Sequence, residues 1–191
     1  MNTKNIMIVG VGGQGTLLAS KLLGYVLLNQ GYDVKVSEVH GMSQRGGSVV
    51  TYVRFGEKVY SPVIDRGEAD IILAFEKLEA ARWLTYLKPG GQIIVSTQEI
   101  EPMPVITGAA QYPADLIQKM ETAGAKVDAK DFLSLASQAG SSKAVNIALI
   151  GRLSRYFPEI SDENWEDAIT ATVPHKFLEL NLKAFALGKN A

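Results

Sequence analysis

Apolar and polar positions along the chain change period several times, and each change marks an element. Ile6 to Gly10 (Ile-Met-Ile-Val-Gly) is continuously apolar, the pattern of a strand buried on both faces. From Thr16 to Asn29 the residues Leu17, Leu18, Leu22, Val26 and Leu27 recur at helical spacing, and Gly31 supplies a stop. Asp33 to Val39 resumes as a strand, so the opening segment predicts a βαβ unit with a right-handed parallel crossover. Ser48 to Phe55 then alternates, with Val49, Thr51, Val53 and Phe55 on one face. Gly56-Glu57-Lys58 reads as a turn into Val59 to Ile64, which predicts a β-hairpin at a sheet edge or in place of a helix.

The α/β alternation returns with a buried strand at Asp70 to Phe75, an amphipathic helix at Glu76 to Leu87, a turn at Lys88-Pro89-Gly90-Gly91 and a strand at Gln92 to Ser96. Pro102 and Pro104 mark a loop or edge strand. Beyond them helices dominate: Ala114–Glu121, Asp131–Gln138, Lys143–Tyr156, Asp162–Ala171 and His175–Leu187, with breaks at Pro158 and Pro174. The expected fold class is α/β: a mostly parallel sheet with helices on both faces, an inserted β-hairpin and a helical C-terminal third. With no repeat or linker visible, residues 1–191 read as one domain.

Composition narrows the chemistry. The net charge of −1 gives no field that would gather nucleic acid or an anionic membrane. Cysteine is absent, which excludes a disulfide framework, cysteine-ligated iron–sulfur clusters and a cysteine nucleophile. With His40 and His175 as its two histidines, the chain would need carboxylates to complete a zinc site, and no metal site is expected. The apolar start is too short for a signal-peptide core, and no run approaches the roughly 20 apolar residues of a membrane helix. A cytoplasmic location is the expectation.

Gly10, Gly12 and Gly15 satisfy G-x-G-x-x-G between a strand and a helix, the Rossmann-like arrangement in which glycines permit a tight turn and close approach of a phosphate. Gly13 removes further bulk, and Gln14 is the large polar side chain of the loop. An acid at the end of the second strand would complete a dinucleotide site. Glu38 lies 23 residues after Gly15, a loose fit. No Lys-Ser/Thr follows the loop, against a P-loop nucleotidase. Two readings stay open: a nucleotide-type ligand, or a turn that only packs helix on sheet.

After the second strand comes a second loop, His40-Gly41-Met42-Ser43-Gln44-Arg45-Gly46-Gly47-Ser48. It suits an anion or a partner's carboxylate, with Arg45 as the charged fork, or else it is a polar connection into the hairpin. Together, GVGGQG and EVHGMSQRGGSV resemble the gamma-type subunit or domain of 2-oxoacid:ferredoxin oxidoreductases and, more narrowly, the chain looks like the small (beta) subunit of the indolepyruvate enzymes. The resemblance runs through Asn146 and Gly151 to the ending Asn181 to Gly188.

That resemblance implies an accessory subunit. Thiamine diphosphate and iron–sulfur clusters are expected in a large catalytic partner, which converts a 2-oxoacid, coenzyme A and oxidised ferredoxin into acyl-CoA, carbon dioxide and reduced ferredoxin. The candidate ligand contacts in this chain are Gly10, Gly12, Gly13, Gln14, Gly15, Ser43, Gln44, Arg45, Gly46 and Gly47, with coenzyme A as the ligand whose phosphates suit them. Ferredoxin is reached through the complex, and homodimerisation is a further option for the isolated chain.

Elsewhere the residues read as structural. Asn146 either bridges to the glycine loop or is a satisfied core amide. His175 begins a helix at the surface, Trp83 and Trp165 anchor cores or interfaces, and Asp65-Arg66 are turn charges. Glu76, Glu79 and Arg82 read as a solvated helix face. Ser141-Ser142-Lys143 has the residue types of a Ser/Lys pair, but a helix N-cap is the simpler account. No nucleophile–base–orienter set emerges. The competing functions are a self-sufficient NAD(P)- or FAD-dependent oxidoreductase and a stand-alone nucleotide- or coenzyme A-binding regulator.

Overall fold

A computed structural model describes residues 3–38 and 46–191. Six strands form one sheet: β1 (Lys4–Val11), β2 (Asp33–Glu38), β3 (Ser48–Gly56), β4 (Ala69–Ala74), β5 (Leu87–Ser96) and β6 (Lys126–Lys130), in the order β2-β3-β1-β4-β5-β6. β1, β4, β5 and β6 are parallel neighbours, while β3 runs antiparallel to both β1 and β2. β1 and β2 therefore share a direction with β3 threaded between them. The sheet is mostly parallel, as the sequence predicts, and β3 is the strand that breaks the rule.

The continuous apolar run of β1 serves two cores. Ile6 and Ile8 face one side with Val53, Phe55 and Leu73, beneath α1 (Thr16–Asn29), α5 (Phe132–Ala139), α6 (Val145–Ser154), α7 (Asp162–Thr172) and α8 (Leu178–Lys189). Met7 and Val9 face the other with Ile72, Ile93 and Val95, covered by α2 (Lys77–Arg82), α4 (Leu116–Thr122) and the buried Ile64. A strand sandwiched this way has no polar face, which is why its sequence does not alternate. Because α1 and α2 lie on opposite faces, the connections leaving β1 and β4 diverge. In open α/β sheets, ligands bind in the crevice at such a point.

Residues 59–64 do not form the expected hairpin strand. Both edges of β3 are already occupied by β1 and β2, so no edge remains for a third partner. Side chains satisfy the segment instead. Arg54 donates through Nη1 to the carbonyls of Ser61 (3.2 Å) and Val63 (2.8 Å), and Asp33 accepts from the Val59 N–H at 2.9 Å. β3 pairs antiparallel instead with β2, the strand before it in the chain, and with β1.

Other boundaries also shift. The helix expected at Glu76 to Leu87 stops at Arg82 and gives way to a short 3₁₀ turn at Leu84–Tyr86. Met103–Ile106 is a single helical turn, α3, where a loop or edge strand is expected. β6 lies between two of the expected helices, in the region where helices are expected to dominate: Lys-Val-Asp-Ala-Lys is short and charged, and Val127 and Ala129 pack on the α2–α4 side. In the helical third, α6 and α8 cross in backbone contact. A methyl group on Gly188 would run into the carbonyl of Ala148, and one on Gly151 into that of Phe185.

Candidate functional site

The glycine loop sits at the carboxyl end of β1, in the crevice where the sheet's connections diverge. Gly13 (φ 102°) and Gly15 (φ 88°) hold left-handed conformations that L side chains resist. At Gly10 the limit is space: a Cβ would lie 2.9 Å from Gln14 Oε1 and 3.0 Å from Phe75 Cβ.

Gln14 folds back across the crevice. Its Oε1 accepts from the Val11 N–H at 2.8 Å, and its Nε2 donates to the Phe75 carbonyl (3.1 Å) and to Gln98 Oε1 (3.2 Å). One side chain thus joins the loop to the end of β4 and to the segment after β5. A second brace comes from Asn146 on α6, which is 4% exposed and donates through Nδ2 to the Gly15 carbonyl at 3.3 Å. Its Oδ1 accepts from the Ile147 N–H at 2.9 Å, so Asn146 is at once a satisfied core amide and the bridge to the loop. A third brace is the Gly12 N–H donating to the Gly47 carbonyl at 2.8 Å.

The loop's remaining side is open. A cleft of about 290 Å³ is lined by Gly12, Gly13, Gly15, Thr16, Leu17 and residues 49–51, with no acidic side chain among them. Gly15 occupies the N-cap position of α1, so no side chain caps the helix. The positive end of the helix dipole and the first-turn N–H groups face this region, an arrangement that favours an anion.

Glu38 does not complete a ribose site. It accepts a 2.6 Å bond from Ser20 Oγ, within α1, rather than standing free beside the glycine loop. Of the second loop, Ser43, Gln44 and Arg45 lie outside the described residues. Gly46 (φ 95°) and Gly47 do meet the glycine loop: with Val11, Ser48, Glu79 and Met103 they line a second cavity of about 250 Å³.

Two buried carboxylates beside this cavity correct the reading of α2 as a solvated face: Glu76 is 1% and Glu79 5% exposed. Glu76 caps α2, accepting from the Glu79 N–H at 2.8 Å, and also accepts from the Ile100 N–H (3.2 Å) and the Tyr112 hydroxyl. Burial and the bond to Glu76 push the Tyr112 hydroxyl well above the usual tyrosine range. Glu79 accepts from Ser48 Oγ at 2.5 Å and pairs with Arg82 Nε at 3.2 Å. Burial raises its pKa, against the opposing effects of Ser48 and Arg82. The i,i+3 spacing of Glu76 and Glu79 at a helix start is the signal that a cap would leave. Tyr112 left none, because its partner is 36 residues away.

The remaining candidates are structural. Ser141 Oγ accepts from the Lys143 N–H at 3.3 Å, a cap rather than a Ser/Lys pair. His175, Asp65 and Arg66 are exposed. Trp165 is buried against Phe157 and Phe185, and Trp83 packs on Tyr86. Among the described residues no cluster of three or more His, Cys, Asp or Glu side chains could hold a metal, and no helix is long and apolar enough to cross a membrane.

These features define a doubly wound α/β protein of the glycine-loop class, its loop braced on three sides by its own chain and open on the fourth. The chain belongs to the pyruvate ferredoxin/flavodoxin oxidoreductase family, whose profile matches residues 5–191. It is 47% identical over 196 residues to the indolepyruvate oxidoreductase subunit IorB of Thermococcus kodakarensis, covering 100% of this chain and 96% of that one. The subunit of the same name from Archaeoglobus fulgidus is 38% identical, covering 97% and 94%. Among solved structures, the keto/oxoacid ferredoxin oxidoreductase gamma subunit of Geobacter sulfurreducens superposes with a TM-score of 0.72 at 24% identity, covering 98% and 96%. A pyruvate oxidoreductase subunit of Thermotoga maritima gives 0.75 at 19%, covering 100% and 97%. The chain is thus a homologue of subunits of 2-oxoacid oxidoreductases and shares the gamma-subunit fold.

Proposed function

We propose that this chain is the accessory, gamma-type subunit of a cytoplasmic 2-oxoacid:ferredoxin oxidoreductase acting on indolepyruvate or related aryl pyruvates, the whole chain serving as one domain. Thiamine diphosphate and the iron–sulfur clusters belong to a larger catalytic partner, which passes electrons to ferredoxin. The full-length kinship to the indolepyruvate oxidoreductase subunits carries the substrate class. The absence of cysteine agrees with clusters held elsewhere.

The single observation in the geometry that carries the accessory role is Gln14. Its side chain fills the crevice between β1 and β4 with hydrogen bonds to this chain's own backbone, and Glu38 is engaged by Ser20. Among the described residues, neither the free acid nor the free crevice of a self-sufficient NAD(P) or FAD enzyme is present. We assign the open cleft at Gly12, Gly13, Gly15 and Thr16 to a phosphate of coenzyme A, delivered to the partner's active site. The uncapped helix start and the acid-free lining fit such a group. Ser43, Gln44, Arg45, Gly46 and Gly47 are assigned to the same ligand or to the partner subunit.

Pull-down of the tagged chain from native lysate tests the proposal. A larger, iron-containing partner at fixed stoichiometry is the expected result. Recovery of the chain alone, or turnover of a 2-oxoacid with a dye acceptor by the isolated chain, contradicts it.

A further inference from the structure

Gly46 and Gly47 border the cavity of about 250 Å³ beside the glycine loop without side chains of their own, and a Cβ on Gly46 would meet nothing within 4 Å. Side-chain packing does little to fix this stretch, so its hydrogen bonds set its position. The β1–β3 ladder reaches its last rung at Val11 and Ser48. Beyond that rung the Gly47 carbonyl accepts from the Gly12 N–H at 2.8 Å, and Gly12 lines the open cleft at the start of α1. On the rung itself Ser48 donates through Oγ to Glu79 Oε2 at 2.5 Å. A carboxyl group on α2 is thereby joined to the cleft on the opposite face of the sheet: Glu79 holds Ser48, and the residue before Ser48 holds Gly12.

A buried acid is a costly residue for that hold. Glu79 is 5% exposed, and a glutamine would accept the same hydrogen bond with no charge to desolvate. What the carboxyl adds is a second protonation state. Its other oxygen, Oε1, lies 3.2 Å from Arg82 Nε, so the ionised form is engaged from both sides. Three charged groups face it among the described residues. Arg82 ends its own helix, Glu76 caps that helix and is itself occupied by Tyr112 and two backbone N–H groups, and Glu101 lines the same cavity. Burial raises the Glu79 pKa and the charge of Glu76 adds to this, while Ser48 and Arg82 oppose it.

From this chain of contacts we infer that Glu79 is a positioning residue for the glycine loop: through Ser48 and Gly47 it places Gly12, and the placement changes when the carboxyl gains or loses its proton. The ionised carboxylate is the stronger acceptor for Ser48 and the form that pairs with Arg82 as an ion. The hold is therefore tight when Glu79 is ionised and slack when it is neutral, although burying the charge costs the fold as a whole. A slack hold lets Gly46 and Gly47 shift toward the neighbouring cavity and draws the acceptor away from Gly12. The positioning follows from the contacts alone. Its consequence for coenzyme A rests on the assignment of the cleft to that ligand.

The test is an NMR pH titration of the full chain that follows the Glu79 carboxyl carbon together with the Gly12 and Gly47 amides. Both amides are expected to shift with one shared midpoint, equal to that of Glu79 and above the usual glutamate value of about 4.3. Glu79→Gln keeps an acceptor but cannot titrate, and should abolish the step. Ser48→Ala should leave Glu79 titrating while Gly12 no longer follows, and Ser48→Thr, which restores the hydroxyl, should bring the step back. A residue that merely packs would move none of these profiles. A Gly12 step that persists in Glu79→Gln or in Ser48→Ala overturns the inference, as does a Glu79 titration that Gly12 never registers. In the assembled enzyme Ser48→Ala is further expected to raise the KM for coenzyme A about tenfold with kcat little changed. If Gly12 follows Glu79 while that KM holds, the inference stands and the assignment of the cleft to coenzyme A falls.

Discussion

At the scale of single residues, Gln14 decides what the glycine motif means in this chain. Replacing it with Leu removes three hydrogen bonds and leaves the Val11 N–H and the Phe75 carbonyl without their side-chain partner. At about 1 kcal/mol per bond, a loss of about 2–3 kcal/mol is expected in chemical denaturation, whether or not any ligand is present. A loop organised around a ligand would instead lose ligand affinity and little stability. Glu79 makes a different prediction. Burial raises its pKa in the fold, so above the usual glutamate value of about 4.3 the folded state holds a proton that the unfolded chain has released. Its contribution is complete below that value and is lost as pH rises through the raised folded value. Denaturation midpoints measured across this window should fall with pH for the native chain. In Glu79→Gln, which cannot titrate, that part of the slope should vanish. The glycine spacing that marks the loop is legible in sequence, because each glycine answers a local demand of turn or contact. The burial of Glu76 and Glu79 is not, since their partners Ser48, Ile100 and Tyr112 come from distant segments.

At the scale of elements, legibility follows how local the cause is. β1, α1 and β4 declare themselves because one strand buried on both faces and one helix face write a period into consecutive residues. Direction and neighbour are less visible. The alternation at residues 48–55 correctly predicts a strand, yet nothing in it says that β3 is inserted between β1 and β2. That insertion uses both of its edges and excludes residues 59–64 from the sheet. β6 escapes notice because an edge strand of five residues with three charged positions carries almost no pattern. The α6–α8 crossing offers the sharpest test at this scale. Gly188→Ala drives a methyl group into the Ala148 backbone, and neither helix can yield without repacking against the core. A loss of about 3 kcal/mol is expected, at the upper end for overpacking, and thermal denaturation would report it. Gly24→Ala is the control: it also lies within a helix, but its Cβ would meet nothing within 4 Å, so stability should hold or rise by up to about 1 kcal/mol.

At the scale of the whole molecule, the sheet carries two unlike ends: a braced glycine loop and buried carboxylates where the parallel strands finish, and a cavity of about 710 Å³ bordered by Lys4, Lys88 and Lys126 where they begin. The first end is assigned to coenzyme A and the catalytic partner. Leu17→Glu, which puts a negative charge at the cleft beside the α1 N-terminus, is expected to raise the KM for coenzyme A in the assembled enzyme by about tenfold while leaving the stability of this chain unchanged. The central claim is that the chain contributes to a 2-oxoacid oxidoreductase without catalysing anything alone, and reconstitution measures it most directly. The separately purified chain and its cluster-bearing partner are assayed apart and then mixed, with indolepyruvate, coenzyme A and ferredoxin present. The account predicts no reduction of ferredoxin by this chain by itself, and activity that rises with added chain until a fixed stoichiometry is reached. Full activity of the partner without this chain, or turnover by this chain without the partner, would contradict it.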